Sequence, residues 1–538
     1  MLTLTAGLTY EKLRAEFQWS IPEQLNIGVA CADSQPRSQL ALIDIAADGT
    51  VVEYTFGELA QLSNRFANGL SSFGLEAGDR VGVVLSQGLE TAIAHLAVYK
   101  LGCVAVPMSR LFGPEALRHR LGDSGARAVV IDSAVIDATV EATQGLDLAV
   151  IVVAEQVRRP HHSFWDVTDQ GAAHLQPADT ASDAPALLIY TSGTTGPPKG
   201  ALHAHRVLFG HLPGFDLMYD FFGQVGDRVW TPADWAWIGG LFDAVLPAWH
   251  HGCSVIGTDR HGFDPEWAEH LMEDQGVRNA FLPPTALKML RASEIRGDRL
   301  RLRSIMSGGE PLGEEMLAWG RETFGVTINE IYGQTEANIV VGNCQALWPV
   351  TPGSMGRPYP GHDVAVIDDN GSPVPVGEIG QIAVRSPDPV MFLGYWNQPA
   401  ATQEKFIGDW MLTGDLGYAD EDGYLWFKSR ADDVILSAGY RIGPGEVEDC
   451  LLRHPKVAMA AVIGVPDDVR GQAVKAYIQI ADSTSPSRDL EDDIKNFVRA
   501  RLSAHEYPRT VEFVDELPLT TTGKIRRNVL REQAAKST

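Results

Sequence analysis

Up to about residue 430, short apolar runs alternate with segments whose apolar residues return every three or four positions. "RVGVVLS" (Arg80 to Ser86) predicts a buried strand, and "LETAIAHLAVYKLG" (Leu89 to Gly102) predicts a helix. "CVAVPM", "ARAVVI" and "LAVIVVA" read as further strands, with a helix over "PEALRHRLGD" between the first two. Such alternation predicts a mainly parallel sheet covered by helices on both faces. From Gly353 the pattern changes. "HDVAVIDDNG", "GEIGQIAVRS" and "GYLWFKS" are short or alternating runs split by Asn-Gly and Asp-Gly turns, which predicts hairpins or a small barrel. Past "SRADDVILSAGYRIGPGEVED" (Ser429 to Asp449) lies a separate succession. It runs helix ("GEVEDCLLRH"), strand ("VAMAAVIGV"), strand ("AVKAYIQI"), helix ("LEDDIKNFVRARL") and strand ("TVEFVD"), the size of a small α+β domain.

Composition narrows the picture. At 538 residues, two or more domains are expected, and 45% hydrophobic with 21% charged content fits a globular protein. No apolar run reaches the ~20 residues of a membrane span, and the opening "MLTLTAGLTYEKLRAEF" shows no signal-peptide pattern. The five cysteines (Cys31, Cys103, Cys253, Cys344, Cys450) are scattered, as reduced cytoplasmic thiols would be. A net charge of −25 argues against nucleic-acid partners. It also means that a polyanionic ligand must be held by local cations and backbone N–H groups.

One stretch invites such a ligand. "YTSGTTGPPKG" (Tyr190 to Gly200) follows the apolar run "ALLI" and offers small residues, hydroxyls and one lysine. Converging N–H groups, the hydroxyls of Thr191, Ser192, Thr194 and Thr195, and the charge of Lys199 suit phosphate oxygens. The GxxxxGK[ST] phosphate loop, a GxSxG elbow and a strand-borne GxGxxG are absent. The pairs His161-His162, His203/His205 and His250-His251 lack a metal-ligand frame, so core or solvated histidines are expected.

"YTSGTTGPPKG" resembles the signature of the acyl-adenylate-forming enzymes, and five further signatures follow in that family's order. They are "SGGEPL" (Ser307 to Leu312), "NEIYGQTE" (Asn329 to Glu336), "WMLTGDLG" (Trp410 to Gly417), "SRADDVILSAGYRIGPGEVE" (Ser429 to Glu448) and "LPLTTTGKIRR" (Leu517 to Arg527). The resemblance implies an α/β fold: a large N-terminal domain of mainly parallel sheets flanked by helices, a small β-barrel-like subdomain, and a small mobile C-terminal α+β domain. The boundaries expected are 1–431 for the ATP- and acid-binding domain, with about 353–431 β-rich, and 432–538 for the mobile domain, with Asp432 as hinge.

It also implies a two-step reaction. ATP and a carboxylic acid give acyl-AMP and pyrophosphate, and CoA then takes the acyl group. Carried over position by position, Thr191 to Gly196 (with Ser192, Gly193, Thr194, Thr195) and Lys199 would hold the β- and γ-phosphates. Gly309, Glu310 and Pro311 would line the adenine, with Glu330, Ile331, Tyr332, Gly333, Gln334 and Thr335 completing the wall. Thr335 would stand near the α-phosphate, and Glu336 would bind Mg²⁺. Asp415 would take the ribose hydroxyls, Arg430 and Arg441 the ribose and phosphate side, and Lys524 would bridge carboxylate and α-phosphate during adenylation. For CoA the matching residues are Ala438, Gly439, Tyr440, Arg470, Tyr507, Pro508 and Arg509.

"DWAWIGGLFDAVLPAWHHG" (Asp234 to Gly252) resembles the acyl-pocket helix of medium-chain acyl-CoA synthetases. It supplies Trp235, Trp237, Ile238 and Gly239 as pocket candidates, with Trp249 beside them and Asp243 as an odd acid in an apolar stretch. Acetate-specific relatives carry a tryptophan at the position of Gly333, so a longer acid is expected here: short- to medium-chain, branched or aryl-substituted. Departures from the family pattern are "SR" for "GR" before the hinge and Leu519 for a lysine. Further expectations are homo-oligomer formation and reversible acylation of Lys524 by a lysine acyltransferase and deacylase. Two rival readings are transfer to a carrier-protein pantetheine and a non-catalytic nucleotide-binding relative. The "SAGYR" element disfavours the first, and the presence of Lys524, Glu336 and Asp415 disfavours the second.

Overall fold

The structure, a computed structural model, describes residues 2–5, 7–154, 157–191, 198–260, 262–431, 433–437, 440–467, 471–481, 485–502, 507–520 and 524–536. The chain divides into two compact units. The larger comprises Met1–Gly193, Pro197–Val364 and Val384–Asp409, and the smaller is built chiefly from Ala365–Ala383 and Trp410–Thr538.

The larger unit holds two sheets. In the first, eight strands lie in the order Gly394–Tyr395, Lys199–Ala204, Pro185–Thr191, Val104–Pro107, Arg80–Val84, Ala128–Asp132, Ala149–Val153 and His162–Ser163. Neighbours run parallel from Pro185–Thr191 onward. The last two pairings on the other side are antiparallel. Helix Leu89–Lys100 packs against this sheet and is buried around nearly its whole circumference, which explains why its sequence is apolar on every side. The second sheet has nine strands in the order Arg357–Pro358, Asn338–Gly342, Ile328–Gln334, Ser304–Gly308, Asn279–Phe281, Arg228–Trp230, Ser254–Thr258, Leu40–Ile45 and Val51–Thr55. Its central five pairings are parallel. In open sheets of this kind ligands meet the carboxyl ends of the strands, and that is where Thr191, Gly309–Leu312 and Thr335–Glu336 sit.

In the smaller unit Trp410–Ala419 and Leu425–Arg430 pair antiparallel in the β-rich part expected from the turn pattern. Beyond it, Tyr440–Ile442, Ile435–Ser437, Gly471–Ile480 and Val457–Asp467 form a sheet in that order, with Thr510–Phe513 parallel on Gly471–Ile480. Helix Arg488–Arg501 turns Leu490, Ile494 and Val498 onto a core with Ile435, Val462 and Ala476, the spacing of four that its sequence shows. No helix among the described residues is long and apolar enough to cross a membrane. All five cysteines are buried and free.

Candidate active site

The candidate site begins at a hairpin. Strands Pro185–Thr191 and Lys199–Ala204 pair down to Thr191 opposite Lys199, and the Gly-Thr motif lies between them in the sequence. Ser192, Gly193, Thr194, Thr195 and Gly196 lie outside the described residues, as do Asp432, Ala438, Gly439 and Arg470. Lys199 returns from the turn with its Nζ 5.3 Å from the centre of the Tyr395 ring. The hydroxyl of Tyr395 donates to Oε1 of Glu336. One tyrosine thus joins the lysine of the first motif to the acid of the third. Nothing in the local sequence marks Tyr395 for this role except its place after Gly394.

The wall expected for a purine is formed by two parallel strands, with Ser307 beside Glu330 and Gly308 beside Ile331. Gly309 follows with φ of +101°, a conformation that suits glycine and lets the chain turn tightly into Glu310 and Pro311. Leu312 N–H donates to Glu330 Oε1 at 2.7 Å, so the acid steadies the loop. Oε2 of Glu330 is buried without a partner. Burial pushes this carboxyl up to about 8, with the Leu312 N–H pulling the other way, so it is mostly protonated at neutral pH. Glu310 pairs at 3.6 Å with Lys288.

Strand Ile328–Gln334 then doubles back into Asn338–Gly342 through a bulged hairpin. Asn338 has φ of +47°, and a Cβ on Gly333 would lie 1.6 Å from the Asn338 carbonyl oxygen. Gly333 is therefore demanded by the backbone of this turn itself. Thr335 is half-buried at the turn and Glu336 is 7% exposed. Beside the Thr335 backbone lies His203, fully buried. Burial drives its imidazole down to about 4, partly offset by the Thr335 backbone, so it stays neutral.

The smaller unit holds the other candidates. Asp415 and Arg430 are direct partners across an antiparallel pair, and Arg430 Nη1 donates to Asp415 Oδ1 at 2.8 Å. Arg441 lies on strand Tyr440–Ile442. Lys524 is exposed at the foot of a short hairpin. Its N–H donates to Thr520 Oγ1 at 3.0 Å, and Thr520 N–H donates to the Lys524 carbonyl at 2.7 Å. Three residues on, Arg527 anchors the following helix, with Nη2 2.5 Å from Glu448 Oε2 and Nη1 3.2 Å from Asp433 Oδ2. Of the CoA candidates, Pro508 is buried, and Arg509 stacks 4.0 Å over the Tyr507 ring and donates to its hydroxyl.

The acyl-pocket segment is one continuous helix from Ile238 to His250 with a π-helical turn over Leu241–Val245. Trp235 is 1% exposed, edge-on to Trp249 at 6.2 Å, and Trp249 donates to the Ala41 carbonyl at 2.8 Å, a core contact. Trp237 is half-buried and edge-on to Phe112 at 5.9 Å. The odd acid Asp243 is matched from within the protein. Its Oδ1 lies 3.1 Å from His211 Nε2, and its backbone carbonyl accepts from Tyr219 at 2.7 Å. Its Oδ2 would be 3.3 Å from a Cβ on Gly239, so it sits under the pocket segment. Among the described residues no group of three His, Cys, Asp or Glu forms a metal cluster.

The model of the family described as "AMP-binding enzyme" matches residues 30–396, and that of "AMP-binding enzyme C-terminal domain" matches 446–524. The chain belongs to the AMP-binding enzymes. Acetyl-coenzyme A synthetase of Bacillus subtilis (strain 168) is 35% identical over 488 residues, covering 89% of this chain and 85% of that protein. The mitochondrial acyl-coenzyme A synthetase ACSM3 of Mus musculus is 33% identical over 548 residues, covering 97% and 93%. The crystal structure of Brucella canis acyl-CoA synthetase superposes with a TM-score of 0.76 at 32% identity, covering 98% and 99%. Within the family this AMP-binding enzyme stands in the acyl-CoA synthetase branch. It is an AMP-forming acyl-CoA ligase, which activates a carboxylic acid with ATP as acyl-AMP and then forms acyl-CoA. Its fold is that of the adenylate-forming enzymes, as the six motifs imply.

Proposed function

We propose that this acyl-CoA synthetase is cytoplasmic and acts on a short- to medium-chain, branched or aryl-substituted carboxylic acid. The observation that carries the site reading is Tyr395, which touches both Lys199 and Glu336 and so gathers two separate motifs at one point. In this reading Lys199 and the loop before it bind the β- and γ-phosphates, and Thr335 stands at the α-phosphate. Gly309 to Pro311 and Glu330 to Gln334 flank the adenine. The paired Asp415 and Arg430 take the ribose, with Arg441 on the phosphate side.

Glu336 suits Mg²⁺. It is a hard oxygen donor whose Oε1 is fixed by a neutral hydroxyl, which leaves Oε2 to a cation. When bound, the ion neutralises charge on the phosphates. Lys524 offsets the negative charge that builds up as carboxylate meets α-phosphate. Its exposure on the smaller unit supports a role that lasts for one step only, with domain 432–538 turning about Asp432 relative to 1–431. Ala438, Gly439, Tyr440, Arg470, Tyr507, Pro508 and Arg509 then serve CoA.

Trp235, Trp237, Ile238, Gly239 and Gly333 border the acid. The half-buried Trp237 favours an acid with a flat or branched body, which the indole can cover. The test is pyrophosphate release from ATP and CoA with a panel of acids from acetate to octanoate, isobutyrate, benzoate and phenylacetate. Highest kcat/KM for acetate would refute the substrate reading, and no acid-dependent pyrophosphate with any member would refute the adenylation reading.

A further inference from the structure

Three aspartates among the described residues are buried against a histidine: Asp216, Asp243 and Asp388. Two of them have both oxygens met from within the protein. Asp216 has His251 Nε2 2.6 Å from Oδ1, and the Leu2 N–H donates to Oδ2 at 2.6 Å. Asp388 has His362 Nδ1 2.7 Å from Oδ2, and the Val390 N–H donates to Oδ1 at 2.9 Å. Asp243 is met on one oxygen only. His211 Nε2 stands 3.1 Å from Oδ1, and no donor among the described residues meets Oδ2. At 6% exposure, an oxygen without a donor costs free energy that water does little to restore. Burial pushes this carboxyl up, with His211 pulling the other way.

The surroundings of Oδ2 indicate what meets it. Gly239 lies one turn back along the helix, and a Cβ there would stand 3.3 Å from Oδ2 and 3.2 Å from the Phe281 ring. Gly239 is half-buried and carries no such atom, so the side of Oδ2 that a larger residue would cover is left open beside an aromatic ring. Phe281 ends strand Asn279–Phe281, opposite Met306 on the strand that leads into Gly309. His211 lies on helix Val207–Met218, where a Cβ on Gly214 would be 3.4 Å from the Ile339 carbonyl oxygen, next to the turn that carries Thr335 and Glu336. The elements that hold Asp243 therefore also flank the nucleotide wall and the third motif. An apolar pocket discriminates weakly against a ligand lacking a hydroxyl, whereas one with an unmet polar group rejects it strongly. We propose that Asp243 Oδ2 accepts a hydrogen bond from a hydroxyl or amino group on the body of an aryl acid, with Phe281 beside the ring, so that the enzyme prefers such an acid to its unsubstituted parent. This assignment rests on the reading of Trp235 to Gly239 as the border of the acid.

The experiment compares the native enzyme with Asp243→Asn and Asp243→Leu, by pyrophosphate release from ATP and CoA. The acids are benzoate and phenylacetate, each unsubstituted and with a hydroxyl or an amino group at ring position 3 or 4. In the native enzyme at least one substituted acid should exceed its parent in kcat/KM by roughly tenfold or more, and the hydroxyl and amino members show which donor is read. In Asp243→Leu that ratio should fall to about twofold or less, with KM for ATP within about twofold of native. Asp243→Asn, which keeps an acceptor but not the charge, should fall between. No substituted acid better than its parent in the native enzyme would overturn the assignment. So would a preference that survives in Asp243→Leu, or an equal loss for parent and substituted acids together with a raised KM for ATP, which marks a merely structural acid. Should Asp243→Leu not fold, an unchanged ratio in Asp243→Asn overturns it instead. The two levels separate in the native enzyme: no pyrophosphate with any acid refutes the adenylation reading, whereas parents used as well as their substituted forms refute only the role of Asp243.

Discussion

The nucleotide wall and the acid segment sit in the same unit yet are built in opposite ways. The wall, Ser307–Leu312 with Glu330–Glu336, hangs from adjacent parallel strands and is set by backbone: a left-handed Gly309, a bulged hairpin at Gly333, and one N–H to Glu330. The acid segment, Trp235–His250, is set by side chains: a helix with a π turn pinned by indole and His–Asp contacts, His211 to Asp243 and, just beyond its end, His251 to Asp216. Backbone geometry tolerates few sequences, so the first region keeps a motif. Side-chain packing can be refilled in many ways, so the second keeps only a shape.

The sharpest way to break this contrast is to remove charge from the chemistry while leaving both walls intact. Lys524→Ala should slow acyl-adenylate formation by roughly 10²–10³-fold and leave CoA transfer from supplied acyl-adenylate near native. Single-turnover assays of each half-reaction read the split, and equal loss in both would place the lysine outside the adenylation step.

A smaller effect is expected on the acid side. Trp237→Ala should change the ratio of kcat/KM between the best acid and one two methylenes longer by about 10–100-fold, with KM for ATP unmoved. A matching change in KM for ATP would mean that the two regions do not act separately. On the nucleotide side, Tyr395→Phe keeps the ring beneath Lys199 but frees Glu336, so roughly tenfold more Mg²⁺ should be needed for half-maximal rate. An unaltered Mg²⁺ titration would detach Glu336 from the cation.

The smallest and least selective effect is on acid stability. Burial holds His95, His203, His205 and His250 down to about 4. An unfolded chain takes up these protons first, near 6.5. Their contribution is therefore complete above about pH 6.5 and is lost as pH falls from there through 4. Urea midpoints at pH 7.5 and 5.0 should show the drop, and His203→Asn should make it shallower. Equal slopes in the two proteins would remove His203 from the set.

The same contrast explains what was legible in the chain. Strands such as Arg80–Val84 and Ala128–Asp132 announce themselves as apolar runs because both faces are covered. Motif residues such as Asp415 and Arg430 were readable because their spacing follows from strand pairing. Tyr395 was not, since it meets Glu336 from 59 residues away and only tertiary folding brings them together. Asp243 was visible as an anomaly, but its partner His211 sits on another helix inside an ordinary apolar pattern.

Gly333 has a consequence for how this enzyme could change over generations. Any side chain there would meet the Asn338 carbonyl before it reached an acid. A route to acetate preference through a tryptophan at 333 would first require the hairpin to be rebuilt, and the intermediates would lose the turn that carries Thr335 and Glu336. Descent toward shorter acids is thus blocked by single steps at that position. It stays open around Trp237 and Gly239, where the chain can alter what it accepts without disturbing how it activates it.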